Sequence, residues 1–278
     1  MGAMPAPDTS AVTTTPLPLS VATVCCNNET TIGRLIHSVR GLAAEIIAVD
    51  SGSTDSTVGL LKAAGATVIE QPWQGYVRQK QFALEQCTQT WVLHLDSDES
   101  LEPALRGSIE AAVRRDDLGI AGYEINRKVW YAGAFLEHTW QPEWRLRLVR
   151  RGRARWGGYD PHDDLKIIPA SGSEPARIER LAGDMRHDTM PSLGEFLERQ
   201  ARHARTAAAS QFAMGRRGSM ARVVFSPAGE WLKQVVLRSA WRDGWRGMAA
   251  ATASSIGVAM KHALLLEATR SAERGGPR

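Results

Sequence analysis

The chain has 278 residues, 43% of them hydrophobic and 23% charged, which is enough for one sizeable core and an appendage and excludes a wholly disordered chain. The formal charge of +4 is mildly basic, and the arginines gather after Arg127, in Arg145, Arg147, Arg150, Arg151, Arg153 and Arg155, so anionic partners suit the later half. Cys25 and Cys26 are adjacent on an expected strand and point to opposite faces, and Cys87 stands alone; three such residues read as reduced thiols of a cytosolic protein.

Residues 1–18 are expected as a disordered N-terminal segment. Met1-Gly2-Ala3-Met4 reads as a tag remnant, a Thr/Pro-rich stretch follows, and the absence of a basic region and an apolar run excludes a secretory signal. Beyond it strands and helices alternate. Leu19–Cys25 reads as a strand, Thr31–Val39 as a helix, Glu45–Val49 as a strand and Ser56–Ala64 as a helix. Thr67–Glu70 is a short strand, Val77–Gln86 a helix, Trp91–Leu95 a strand and Glu102–Arg114 a helix with Pro103 in its first turn. The alternation implies βαβ units and a parallel sheet. Ser53-Thr54-Asp55-Ser56-Thr57 offers caps for the helix that follows it. After Gly122 the texture changes to strands and loops rich in Trp, Arg and His, up to about Leu181, and from Leu193 it becomes helical.

Two strand ends carry acids. Val49-Asp50-Ser51-Gly52 closes one apolar run and Leu95-Asp96-Ser97-Asp98-Glu99 another, and in open α/β sheets ligands bind beyond the carboxyl ends of the strands. An Asp-x-Asp at that place can bring two carboxylates to a divalent cation and a diphosphate. The plainer readings are a capped turn for Asp50 and Asp55 and a solvated acidic loop for Asp96 to Glu99.

Four segments come in a telling order: Val24–Ile32 (V-C-C-N-N-E-T-T-I), Val49–Asp55 (V-D-S-G-S-T-D), Gln71–Leu84 (Q-P-W-Q-G-Y-V-R-Q-K-Q-F-A-L) and Trp91–Glu99 (W-V-L-H-L-D-S-D-E). Together they resemble family 2 glycosyltransferases with the GT-A fold, in particular the branch containing lipopolysaccharide inner-core β-glucosyltransferases. The resemblance implies an α/β, Rossmann-like, mostly parallel sheet flanked by helices, with a C-terminal helical extension. Its catalytic domain would occupy 19–190, with nucleotide-sugar binding in 19–100 and the acceptor side in 120–190, and a helical, membrane-associated region would fill 191–278. It implies an inverting hexosyltransferase moving glucose from UDP-glucose to an envelope glycolipid or lipopolysaccharide core sugar, with Mg²⁺ or Mn²⁺ as cofactor. The partners are then a UDP-hexose donor, a glycolipid or saccharide acceptor and a membrane surface, with no nucleic acid. Another polysaccharide or small-molecule acceptor, and an inactive membrane-associated binding protein, are the competing readings.

By the same resemblance Asp98 is the first metal ligand, helped by Asp96, which is alternatively a contact to the donor ribose or sugar beside Ser97. Asp50, with Ser51 and Gly52, takes the uracil or ribose edge, Cys26, Asn27, Asn28 and Glu29 line the nucleoside pocket, and Lys80 lies near the nucleotide. Inverting transfer needs a base well beyond the Asp-x-Asp. Tyr159-Asp160-Pro161-His162-Asp163-Asp164 supplies Asp163 as that base and His162 as a metal or phosphate contact, with Asp160, Asp164 and Glu143 as rivals; a surface turn is the plainer account. In His138-Thr139-Trp140-Gln141-Pro142-Glu143-Trp144-Arg145-Leu146-Arg147, which matches the acceptor-side segment, Trp140 and Trp144 suit sugar faces, Arg145 and Arg147 a diphosphate or an anionic acceptor, and His138 the acceptor, against core packing for either Trp.

From Trp231 to Trp245 aromatic and apolar residues recur at helical intervals with Lys233, Arg238 and Arg242 interleaved, as in a helix lying on a membrane. The apolar run Met248–Met260 falls short of the ~18 residues a spanning helix needs. Peripheral attachment to the cytoplasmic face is therefore expected, with helix-on-helix packing as the alternative.

Overall fold

The computed structural model describes residues 15–159, 162–169 and 177–275. The first half alternates as expected: β1 (Leu17–Cys25), α1 (Glu29–Val39), β2 (Ala43–Asp50), α2 (Thr57–Ala63), β3 (Thr67–Glu70), α3 (Tyr76–Glu85) and β4 (Trp91–His94), then the short β5 (Glu99–Leu101) and α4 (Pro103–Arg115). Most of the expected 1–18 segment lies outside the described residues, but Leu17 and Pro18 already belong to β1. Asp55, not Ser56, caps α2, its Oδ1 accepting from the Thr57 N–H at 3.0 Å.

β3, β2, β1 and β4 run parallel in that order. Their sequences are near-continuous apolar runs because both faces are covered. Odd positions of β1 (Leu19, Val21, Cys25) enter a core with Leu35 of α1 and Ile109 of α4, while Ala22 and Val24 enter the opposite core with Ala83 and Leu84 of α3. The sheet continues through β8 (Trp144–Arg150), β6 (Ile120–Tyr131) and β11 (Arg177–His187), and ends on β5. β8 is antiparallel to β4 and β6, β11 is parallel to β6, and β5 is antiparallel to β11, so the sheet is mixed beyond β4. β7 (Ala134–Phe135) pairs with β6, and β9 (Ala154–Tyr159) and β10 (His162–Ile167) form a separate hairpin against α3.

Two glycines permit close approaches. Gly183 has φ +91 and a Cβ there would meet the Leu105 backbone at the start of α4; one on Gly122 would lie 2.9 Å from the Leu148 carbonyl of β8.

The C-terminal part is helical: α5 (Leu193–Ala213), α6 (Met220–Leu232), a π-turn over 233–237, a 3₁₀ turn over 240–243, and α7 (Gly244–Gly275). α7 packs on both α5 and α6, with small residues at the crossings: Ala204, Ala207 and Ala208 on α5, Ala250, Ala251 and Ala253 on α7. The run Met248–Met260, expected to be too short, is the interior of this 32-residue helix. Ala240–Arg274 is thus the one helical stretch among the described residues long and apolar enough to cross a membrane by length and composition.

Candidate functional site

The β1 and β2 ends make one knotted corner. Asp50, buried at the tip of β2, accepts from the Gly52 and Ser53 N–H groups and from the Ser53 hydroxyl. Burial would raise its pKa, but these bonds hold it below the usual carboxylate range. Asn27, at φ +54, accepts from the Thr54 N–H; Asn28 accepts from the Cys26 N–H; Glu29 accepts from the Ser56 N–H while its own N–H donates to Asp55. The Ser51 hydroxyl accepts from Gln79 of α3 at 3.0 Å. Every acid and amide expected to line a nucleoside pocket here is also stitching two turns together. Cys26 remains exposed at the rim.

At the end of β4 the Asp-x-Asp turn is organised by Glu99, which is fully buried and whose Oε2 accepts from the Asp96 N–H. Arg147 of β8 bridges Asp96 (2.9 Å) and Glu99 (3.0 Å), and Arg127 of β6 reaches Glu99 at 3.2 Å. Lys80 is a buried side chain of α3, not a surface lysine. Its ammonium sits 2.6 Å from Asp96 and 2.7 Å from Asp163 of β10, and 4.8 Å from the centroid of Trp156. Burial would raise the pKa of Asp96, yet Lys80 and Arg147 hold it well below the carboxylate range. His94 is buried behind this pair, 3.7 Å from Asp96 and too far to hydrogen-bond; burial lowers its pKa and keeps it neutral.

Asp98 points elsewhere. Its Oδ2 lies 3.5 Å from His187 Nε2 and 3.3 Å from Arg199 of α5. Burial opposes ionisation, but His187 and then Arg199 hold its pKa down at about 2. The side chain of the expected contact His162, like Asp160, lies outside the described residues; the imidazole found beside Asp98 is His187. The reason is register: β11 pairs antiparallel with β5, setting His187 opposite Glu99 at the close of the Asp-x-Asp turn. Among the described residues no three His, Cys, Asp or Glu side chains converge to cage an ion. Asp98 Oδ2 and His187 Nε2 are close enough that the two could serve as ligands of one cation, with Arg199 on the same carboxylate oxygen at 3.3 Å.

In the acceptor-side segment Trp140 takes the packing alternative. Trp140 donates its indole N–H to Ser254 of α7 at 2.9 Å and packs on Phe196, so it is engaged by the helices. Trp144 lies under the Arg180 guanidinium at 4.6 Å. His138 pairs with Asp243 at 2.9 Å. Arg147 joins the Asp96 cluster and, with Arg145, lines the cavity described next. Glu143 is gripped by Arg127 (2.6 Å) and Arg145 (2.8 Å); against burial these hold its pKa at about 2. A polar cavity of about 350 Å³ lies in the middle, lined by Lys80, Asp96, Arg127, Arg145, Arg147 and Asp163 among others. A second hollow of about 270 Å³, between Leu193 and Leu197 of α5 and Ile256 of α7, has no titratable lining.

The contributions of Glu99, Arg127, Trp156, His187 and Arg199 escape a reading of local sequence. Of these only His187 carried a signal, as the histidine closing the last strand before the helices.

A mixed β-sheet whose parallel half ends in an Asp-x-Asp turn beside a polar cavity has the architecture expected of the GT-A fold, with a ligand site at the carboxyl edge. Residues 20–164 match the profile described as glycosyl transferase family 2, and the chain belongs to that family. It is 32% identical over 248 residues to the lipopolysaccharide core biosynthesis glycosyltransferase LpsC of Rhizobium meliloti (strain 1021), covering 86% of this chain and 88% of that protein. An uncharacterized glycosyltransferase of Rickettsia typhi is 42% identical over 117 residues, 41% of this chain and 40% of its own. Among solved structures, glucosyl-3-phosphoglycerate synthase from Mycobacterium tuberculosis, crystallised with Mn²⁺, UDP and glucosyl-3-phosphoglycerate, is 28% identical over 42% of this chain and 45% of that one, with a TM-score of 0.32. The protein is a glycosyltransferase.

Proposed function

We propose that the protein is an inverting hexosyltransferase that moves glucose from UDP-glucose onto a lipopolysaccharide core sugar or a kindred envelope glycolipid at the inner face of the cytoplasmic membrane. The observation that carries this reading is the cavity lined by Lys80, Asp96, Arg147 and Asp163, at the turn that also carries Asp98. The similarity to the Rhizobium enzyme along most of both chains supports the acceptor class.

Asp98, with His187 beside it, would hold a Mg²⁺ or Mn²⁺ ion. Such an ion supplies Lewis-acid neutralisation of the charge that develops on the leaving diphosphate. The residues of the chain do the rest. Asp50 and the Asn27 to Glu29 turn shape the nucleoside end, and Lys80, Arg127 and Arg147 present cations to the diphosphate. Asp163 lines the cavity and takes the proton of the acceptor hydroxyl at its Oδ atoms. In the resting site Lys80 satisfies that carboxylate; a diphosphate competing for the ammonium weakens the pair and makes Asp163 the better base. Glu143, held at a pKa of about 2, is a poor base and orients Arg127 and Arg145 instead.

The test is calorimetric titration of UDP-glucose, UDP-galactose, UDP-GlcNAc and GDP-mannose with and without Mn²⁺, on the native protein, Asp98→Asn and His187→Ala. Metal-dependent binding of UDP-glucose that both substitutions weaken by ten-fold or more, about 1.4 kcal/mol, is expected. Donor binding that ignores both the metal and the two substitutions overturns the metal assignment, and failure of all four donors to bind overturns the donor assignment.

A further inference from the structure

Helix α6 is an anomaly for a protein in water. It contains Met220, Val223, Val224, Phe225, Trp231 and Leu232, yet none of its 13 residues is buried. The exposure continues past its end. Phe225 is 72% exposed, Leu237 80% and Trp241 61%, and Val224, Leu232 and Trp245 are more than half exposed. Clustered large apolar side chains of this kind mark an interaction surface, whereas scattered ones do not. The cluster is also basic: residues 214–246 carry Arg216, Arg217, Arg222, Lys233, Arg238, Arg242 and Arg246 against Glu230 and Asp243 alone. Both acids are engaged within the fold, Glu230 by Lys233 and Gln234 and Asp243 by the 137–139 backbone.

We infer that α6 and residues 233–245 form a docking face for an anionic phospholipid bilayer, lying flat in the interface with Phe225, Leu237 and Trp241 immersed. Charge chooses this occupant over a second copy of the chain, because an isologous contact would bring two basic faces together. Trp and Arg bordering an apolar strip suit the headgroup level, and each Lys or Arg near an anionic surface adds to the attraction. α7 is long enough to span a bilayer, but Ala250, Ala251 and Ala253 are buried where it meets α5 and the core, so it acts as the platform on which α6 rests. Ser255 of α7 donates to the Pro227 carbonyl of α6 at 2.8 Å and fixes that seat. The face deepens the glycolipid-acceptor reading and rests on it for its purpose, since a lipid-borne acceptor is met at the headgroup plane.

The experiment is co-sedimentation of the full chain with phosphatidylcholine vesicles with and without phosphatidylglycerol, at low and high salt. Native protein is expected to bind only the anionic vesicles, and high salt or alkaline carbonate to release it. Phe225→Ser with Leu237→Ser, both largely exposed positions, should weaken binding about ten-fold per side chain withdrawn from lipid, and Arg238→Glu with Arg242→Glu should weaken it and flatten its salt dependence. Unchanged binding by the first pair, equal binding to neutral vesicles, or retention through carbonate as a spanning helix would each overturn the inference. UDP-glucose hydrolysis without vesicles is read alongside: it reports on the transferase site alone, and the Phe225 and Leu237 substitutions should leave it unchanged.

Discussion

Asp98 and Glu143 show what a buried charge network does to stability. Both have folded pKa values near 2, below their unfolded values of about 3.8 and 4.5. The unfolded chain therefore binds more protons in acid, so the stability these groups contribute is present above about pH 4.5 and is lost as pH falls towards 2. Each is worth on the order of 2 kcal/mol, since one pKa unit is about 1.4 kcal/mol. In urea titrations from pH 7 to pH 2.5, Asp98→Asn and Glu143→Gln should each be less stable than the native protein at pH 7 and nearly level with it at pH 2.5; a constant offset across that range would show that neither charge is coupled to folding. At this scale the acids were legible in the sequence and their partners were not. Asp50, Asp96 and Asp98 announce themselves because each follows an apolar run. Nothing local tells that Lys80 is buried between Asp96 and Asp163, because that depends on the β9–β10 hairpin folding over α3.

At the scale of elements, the acceptor-side loop is held from a distance. The Asp243 carboxylate, in the 3₁₀ turn before α7, accepts from the N–H groups of Glu137 (3.0 Å), His138 (3.1 Å) and Thr139 (2.8 Å) and from the Thr139 hydroxyl (2.8 Å). Burial opposes its ionisation, but these bonds keep its pKa below the ordinary value. The loop then delivers Glu143, whose N–H donates to Asn126 at 3.0 Å, to its two arginines. Asp243→Ala leaves three backbone donors without their acceptor, at about 1 to 3 kcal/mol for each that stays dry. Faster amide exchange at residues 137–139 with unchanged exchange in β1 and β4 is expected; unchanged protection of the loop would show that Asp243 does not hold it. The strands and helices of the first half other than the short β5 were legible, their ends falling within two residues of expectation, because each has a hydrophobic period of its own. The latch was not, for it joins residues a hundred positions apart.

Across the whole molecule the C-terminal helices complete the catalytic half. Val129, Tyr131, Leu136 and Met190 form a core only with Phe196 of α5 and Ala250 and Ala253 of α7, and Arg199 of α5 reaches Asp98. A chain ended at residue 190, where the change of texture suggests a boundary, should expose that core. It should aggregate or melt without a sharp transition and bind no UDP-glucose. Size exclusion and calorimetry decide; a monomeric, cooperative fragment that still binds donor would make 19–190 an independent domain.

By itself the sequence determined the class of fold and placed acids at the sheet edge, because alternating periodicity and acids closing apolar strands are local properties. Order along the chain was enough to suggest the family. Tertiary structure decided which groups act together: β11 sets His187 beside Asp98, β6 and β8 supply Arg127 and Arg147, and α7 holds Trp140 away from the cavity. Those choices follow from strand register and helix packing between distant segments, and no short window of sequence contains them.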